Sequence, residues 1–223
     1  MEIVVIPAYN EEKNIGEVVK RARKIGFKVL VIDDGSKDKT YEIAKRSGAI
    51  VIRHEKNKGK GEALKTAFNF LRKNRKIKRV VVIDADLQYL PEEAPKLLKP
   101  IKEDKADLVM GFRNWREVPF RHRLGNFVWR KFFNILFGTK FKDTNCGFMA
   151  FGRRAIEKIK NIHGGYIIEN SILIDALKNK LKIEQVPVKV FYNKKSGIKR
   201  GIRVVLGVLI FIIKEGLKYR LAN

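Results

Sequence analysis

The sequence predicts an α/β fold with a mostly parallel central sheet and helices on both faces. Three observations carry that prediction. Short β-branched runs alternate with stretches of helical period through the first half of the chain. The runs are apolar throughout, as in strands covered on both sides, rather than alternating as in a sheet with one wet face. Polar clusters stand directly after several of them, where open α/β sheets bind their ligands.

Residues 3–6 form the first run, closed by Pro7, and residues 14–25 carry Ile15, Val18, Val19 and Ala22 at helical spacing. The pattern returns as strand 29–32 and helix 38–46, strand 50–52 and helix 61–71, strand 80–83 and helix 92–101, then strand 108–110. Past Gly111 the rhythm changes. Residues 113–123 are polar and aromatic, 127–137 read as a helix, 148–151 as a strand, 169–178 as a helix and 183–190 as a last strand.

The 223 residues are 45% hydrophobic and 10% aromatic, enough for a full core despite 33% charged residues, which excludes a disordered basic tail. With no Pro/Gly/Ser-rich linker and no internal repeat, residues 1–196 are expected to form one domain and 197–223 a C-terminal appendage. Forty-nine Lys and Arg against 24 Asp and Glu give a net charge of +25, which points to a polyanionic partner: nucleic acid, an anionic membrane or a phosphorylated ligand. Heat-adapted proteins share such Lys-rich, Cys-poor compositions, so charge alone identifies no ligand. Cys146, the sole cysteine, allows no intrachain disulfide, and no targeting segment precedes the first run, so a reducing, cytoplasmic setting is expected. The longest apolar run, 204–213, is well short of the roughly 20 residues that cross a bilayer as a helix. His54, His122 and His163 have no zinc-ligand spacing with Cys146.

The fourth run leads into Asp84-Ala85-Asp86-Leu87-Gln88. An extended backbone here would put Asp84, Asp86 and Gln88 on one side, and oxygen-only ligands suit Mg²⁺ or Mn²⁺ better than zinc. The first run leads into Pro7-Ala8-Tyr9-Asn10-Glu11-Glu12 and the second into Asp33-Asp34-Gly35-Ser36, so these loops meet the D-x-D at one sheet edge. Gly59-Lys60-Gly61 opens a helix whose N–H groups and lysine can face phosphate.

Seven ordered blocks resemble the family 2 glycosyltransferases, and among them the polyprenyl (dolichyl) phosphate mannose synthases. They are Val5-Ile6-Pro7-Ala8-Tyr9-Asn10-Glu11-Glu12, Ile32-Asp33-Asp34-Gly35-Ser36, Gly59-Lys60-Gly61-Glu62-Ala63, the stretch from Asp84 to Glu92, Gly111-Phe112-Arg113, the stretch from Asp143 to Phe148, and Glu184-Gln185-Val186-Pro187-Val188. The resemblance implies a Rossmann-like nucleotide-diphospho-sugar transferase fold of the GT-A type. It implies Pro7, Tyr9, Glu11, Ile32 and Asp34 around base and ribose, with Asp84 and Ala85 beside the nucleotide, where Lys60 joins them. Asp86 and Gln88, with Asp84 as a further ligand, would hold Mg²⁺ or Mn²⁺, which stabilises the departing nucleoside diphosphate.

The same resemblance implies a lipid-phosphate acceptor, met by Arg113 as a catalytic residue alongside Asp86, and by Arg121 and Arg123 within a cluster that includes Arg116. Lys194 and Arg200 stand where the family carries Arg and Lys, and Lys199 replaces a serine. Tyr89, Met149 and Gly125 are further departures from the family pattern. GDP-mannose is the favoured donor, a UDP-linked glucose or N-acetylhexosamine the alternative, and a soluble glycan the alternative acceptor. A phosphate acceptor is already an anion at neutral pH and needs no general base. A hydroxyl would need a carboxylate, and Asp143 and Glu169 are the candidates. Direct displacement inverts the anomeric centre.

From 197 to 221 basic and apolar blocks alternate, as in a helix lying in a membrane interface or one packed on the core with a basic outer face. The expectation is a peripheral protein on the cytosolic membrane face, with a small membrane-anchor protein as a candidate partner. A nucleic-acid-binding role leaves the D-x-D without purpose and lacks a recognition motif.

Overall fold

The computed structural model describes residues 1–114, 120–191 and 202–221, with the side chains of 120–122, 124 and 202 outside the description. Its strands are β1 (Glu2–Ala8), β2 (Lys28–Asp33), β3 (Ile50–Arg53), β4 (Arg79–Val82), β5 (Leu108–Arg113), β6 (Met149–Gly152) and β7 (Ile183–Val188). They form one sheet in the order β3-β2-β1-β4-β6-β5-β7. β6 alone runs antiparallel, wedged between β4 (Val80↔Phe151) and β5 (Val109↔Ala150), while every other pairing is parallel. β5 continues to Arg113, past the expected end at 110, because β7 pairs with it as far as Arg113↔Val188.

The helices are α1 (Ile15–Lys24), α2 (Thr40–Arg46), α3 (Lys60–Lys73), α4 (Ala94–Lys102), α5 (Phe120–Phe137), α6 (Arg153–Lys158), α7 (Ile168–Lys178) and α8 (Ile202–Leu221). α1 buries Ile15, Val18, Val19 and Ala22, the set that its spacing predicted. The chain steps one way from β1 to β3 and back again to β4, so right-handed crossovers put α1 and α2 on one face and α3 on the other. Alternation along β6 places α4 opposite α3. Phe151 meets Phe68 of α3 edge-on at 5.1 Å, while a Cβ on its neighbour Gly152 would lie 3.1 Å from Ile101 of α4. Both faces of the sheet are thus covered, which is why its strands read as unbroken apolar runs.

α5 begins at Phe120 rather than at 127, and α8 packs along it. Trp129, fully buried, donates from Nε1 to the Val205 carbonyl at 3.0 Å, and Arg220 Nε reaches the Leu136 carbonyl at 3.0 Å. A Cβ at Gly216 would come within 2.6 Å of Leu136, so glycine sets the closeness of the two helices. Val208 and Ile212 of α8 are buried, whereas Leu206, Ile210, Leu217 and Leu221 are 50, 64, 52 and 89% exposed. Among the described residues no helix is long and apolar enough to cross a membrane.

Candidate active site

The strand order reverses between β1 and β4, which opens a crevice beyond their carboxyl ends. Ile83 N extends the ladder to the Val5 carbonyl at 3.0 Å, and the chain then leaves the sheet. The extended alternation expected through Gln88 is not what forms. Ala85 and Asp86 lie in a turn, Asp86 Oδ1 accepts from Gln88 N at 3.0 Å, and Leu87 takes φ 60°. An aspartate that accepts from the backbone two residues on offers the chain a turn in place of a strand.

α3 delivers Lys60 to this turn. Its Nζ lies 2.6 Å from Asp84 Oδ1 and 3.6 Å from Glu169 Oε1, which α7 brings from its first turn. A Cβ at Gly147 would sit 2.8 Å from Asp84 Oδ2 and 3.1 Å from Lys60 Nζ, so only glycine lets the chain pass this cluster undisturbed. Burial alone would pull the Lys60 ammonium down, but Asp84 and Glu169 outweigh it and raise it. Burial, then the charges of Asp84 and Glu11, push the Asp86 carboxyl up to about 6. The turn therefore carries more negative charge than Lys60 balances, which fits a hard divalent cation among the oxygens of Asp84, Asp86 and Gln88. Among the described residues no group of three or more His, Cys, Asp or Glu could hold an ion unaided. Substrate phosphates usually complete such a ligand set.

Of the residues expected around the nucleotide, Pro7 and Ile32 are cross-strand partners with buried side chains, Ala85 is buried, and Tyr9 is 39% exposed. Glu11 accepts from Asn14 Nδ2 at 2.9 Å. The loops after β1 and β2 are tied together. Asn10 N donates to Ser36 Oγ at 2.9 Å, Lys37 N to Asn10 Oδ1 at 2.8 Å, and Glu11 N to Thr40 Oγ1 at 2.8 Å. Asp34 is 2% exposed and saturated, with Oδ1 facing His54 Nδ1 (2.6 Å) and Lys58 N (3.0 Å) and Oδ2 accepting from Gly59 N (2.7 Å).

Among the residues expected to meet the acceptor, Arg113 is 8% exposed and gripped by a fully buried carboxylate: Nε to Asp143 Oδ2 at 2.7 Å and Nη2 to Asp143 Oδ1 at 3.0 Å. Burial opposes the charge on Arg113, and Asp143 overrides it, raising the guanidinium further. Gln185 Nε2 donates to the Asp143 carbonyl at 2.6 Å. Of the two candidate bases, Asp143 is thus committed to Arg113, and Glu169 stands in the site. Arg123 lies half-buried on α5. Arg121 belongs to α5 with its side chain outside the described residues, where Arg116, Lys194 and Arg200 also fall. Sequence reasoning gave no role to Gly147, His54 or Thr66, since nothing local marks a lone histidine or glycine as a neighbour of a site distant in the chain.

A largely parallel sheet carrying an acidic turn at its switch point is the architecture of the GT-A nucleotide-sugar transferases. Residues 3–160 match the profile of glycosyl transferase family 2, and the chain belongs to that family and is a glycosyltransferase. It is 32% identical to the UDP-N-acetylglucosamine–dolichyl-phosphate N-acetylglucosaminyltransferase of Methanococcus voltae over 93% of this chain and 92% of that one. It is 31% identical to the dolichol-phosphate mannosyltransferase of Pyrococcus furiosus over 82% of this chain and 54% of that one. The fold superposes on glucosyl-3-phosphoglycerate synthase of Mycobacterium tuberculosis, solved with Mn²⁺, UDP and phosphoglyceric acid, with a TM-score of 0.77 and 23% identity over 97% of this chain and 78% of that one. The same enzyme is solved with Mg²⁺ and UDP.

Proposed function

We propose that this chain transfers a hexose, with inversion, from a nucleoside diphosphate sugar to a polyprenyl (dolichyl) phosphate at the cytosolic face of a membrane. The observation that carries the donor half is the cluster of Asp84, Asp86, Glu169 and Lys60 at the switch point, an acidic turn with one lysine beside it. The cleft after β1 and β2 takes the nucleoside, with Pro7, Ile32 and Ala85 as floor, Tyr9 and Glu11 at the rim, and Asp34 holding the wall. Asp86, Gln88 and Asp84 hold Mg²⁺ or Mn²⁺, a reading supported by the metals bound in the Mycobacterium neighbour. When bound, that ion supplies positive charge to the leaving diphosphate, and Lys60 adds its own from the start of α3.

Both similar enzymes are named for a dolichyl or dolichol phosphate acceptor, which supports a lipid phosphate here. Arg121, Arg123, Lys194 and Arg200 meet the acceptor phosphate, and Arg113 adds charge from beneath while it holds Asp143. The paired α5 and α8 seat the enzyme on the lipid surface as its C-terminal element, helped by a small anchor protein. The exposed Leu206, Ile210, Leu217 and Leu221 alternate along α8 with Arg203, Lys214 and Lys218, a pattern suited to anionic headgroups. GDP-mannose is the first reading of the donor. The near full-length match to the Methanococcus enzyme favours UDP-N-acetylglucosamine as the second.

The test is transfer of labelled sugar from GDP-mannose, UDP-glucose or UDP-N-acetylglucosamine to a short polyprenyl phosphate, for wild type, Asp86→Ala and Glu169→Gln. Lipid product from one donor, abolished in Asp86→Ala, establishes the reaction. Product that appears only on a hydroxyl acceptor and disappears in Glu169→Gln replaces the lipid phosphate with a glycan and makes Glu169 the base.

A further inference from the structure

We propose that His54 is a positioning residue for the donor, aiming Asp34 and through it the turn that carries Lys60 into the site. This rests on the donor half of the function above. The chain of contacts is continuous and mostly buried. Thr66 on the second turn of α3 meets His54 Nε2 at 2.8 Å, and His54 Nδ1 meets Asp34 Oδ1 at 2.6 Å. The Asp34 carboxylate takes the N–H groups of Lys58 and Gly59, and Lys60 follows as the first residue of α3, with its ammonium on Asp84. His54 is 8% exposed and Asp34 2% exposed, so neither group is offered to solvent.

The turn is held from within and from outside: Gly59 N faces Asn57 Oδ1 at 3.0 Å as well as Asp34 Oδ2 at 2.7 Å. Gly59 caps α3 in a left-handed conformation, φ 91°, and has no side chain with which to satisfy the helix start. From the loop after β2, Asp34 instead accepts from the two amides just ahead of the helix, Lys58 N and Gly59 N. The two amides take one carboxylate oxygen each, and the imidazole adds a third, side-chain contact on the Oδ1 that Lys58 N already meets. The ring is fixed in turn by a helix that the same turn begins, so the loop after β2, the loop after β3 and the start of α3 are locked as one unit. A ring that donates from Nδ1 to the carboxylate accepts the Thr66 hydroxyl at Nε2, so one tautomer serves both contacts.

Two substitutions separate the nitrogens. In His54→Asn the amide stands where Nδ1 was and can still donate to Asp34. In His54→Gln it stands where Nε2 was and can reach only Thr66. Binding of UDP and of GDP with Mn²⁺, measured by calorimetry, is expected to stay within about threefold of wild type in His54→Asn and to weaken about tenfold or more in His54→Gln and His54→Ala, the loss of one buried charge-assisted hydrogen bond. Hydrogen exchange at the Lys58 and Gly59 amides is expected to quicken in the same two variants only. Equal loss of affinity in His54→Asn and His54→Gln, or unchanged exchange at both amides in His54→Gln, overturns the proposal. Should wild type bind neither nucleotide, the donor reading fails, and exchange at these amides alone upholds or overturns the link from His54 to the turn.

Discussion

The proposed donor edge and the proposed acceptor side of this molecule are built by different rules. Around the donor crevice the polar residues tie one loop to the next, with Asn10 on Lys37, Glu11 on Thr40 and Asp34 on Gly59, and the ties stay near the surface that they shape. On the acceptor side the ties run inward, between buried side chains. Arg113 grips Asp143 30 residues on, Gln185 holds the Asp143 carbonyl, and Cys146 Sγ lies 3.4 Å from the Tyr89 hydroxyl. On the donor edge the residues that fold the loops and those that face the ligand are neighbours. On the acceptor side the arginine whose type announces a phosphate ligand is also a buried structural cation.

The largest effect that tests this contrast comes from Asp143→Ala. It leaves Arg113 charged and buried with its main partner gone, which costs about 3–5 kcal/mol, so its urea midpoint should fall far below that of wild type. The double variant Arg113→Met with Asp143→Leu should recover much of the loss, because a buried ion pair is worth little against apolar packing of similar size. A single variant that unfolds like wild type would show the pair to be a solvated contact. It would leave the two sides of the molecule built alike.

The same contrast explains what was legible in the sequence. α1 buries the four residues that its spacing named, and the first strands fall where the apolar runs stand, because each parallel strand carries its periodicity locally. The D-x-D, Lys60 and Glu169 were legible by residue type and place. The shape of the D-x-D was not, since the Asp86 carboxylate turns the backbone that alternation would have kept straight. The antiparallel seat of β6 and the inward turn of Arg113 depend on partners far along the chain, and no window of sequence contains both members.

Glycines sharpen the comparison at the next scale. At Gly61 a methyl would meet the backbone of Gly164 at 2.7 Å, which cannot swing aside, so Gly61→Ala should lose about 1–3 kcal/mol of stability as overpacking does. At Gly147 the obstacles are the tips of Asp84 and Lys60, which can move. Gly147→Ala should therefore melt within a few degrees of wild type while its nucleotide affinity falls about tenfold, the scale of one disturbed charged contact. The reverse pattern, a labile Gly147→Ala and a robust Gly61→Ala, would exchange the roles of the two positions.

Chemical reactivity gives a smaller signal. Burial, and then the charge of Asp143, push the Cys146 thiol up to about 12, so it stays protonated across the working pH range. Native protein at pH 8 should resist Ellman's reagent and react fully in guanidinium chloride. Rapid native labelling would place Cys146 in an open cleft.

The smallest effect concerns a strut between α1 and the segment after the D-x-D turn. Arg21 of α1 holds Glu92, just after the D-x-D turn, through Nε at 2.7 Å and Nη2 at 2.8 Å. The Arg21 hydrogen bond lowers the Glu92 carboxyl below its ordinary 4.5. A folded-state value below the unfolded one gives stability that is present above 4.5 and lost as pH falls through the lowered value. Both side chains are partly exposed, 28% and 43%, so screening holds the contribution to about 0.2–1 kcal/mol. The stability difference between wild type and Glu92→Gln should therefore be small at pH 7, should shrink as pH falls from 4.5 through the lowered value, and should shrink in high salt. A difference that survives acid would trace the strut to packing of the Arg21 stem against the turn rather than to its charge, and the tie between α1 and the turn would then belong with the core contacts of the acceptor side.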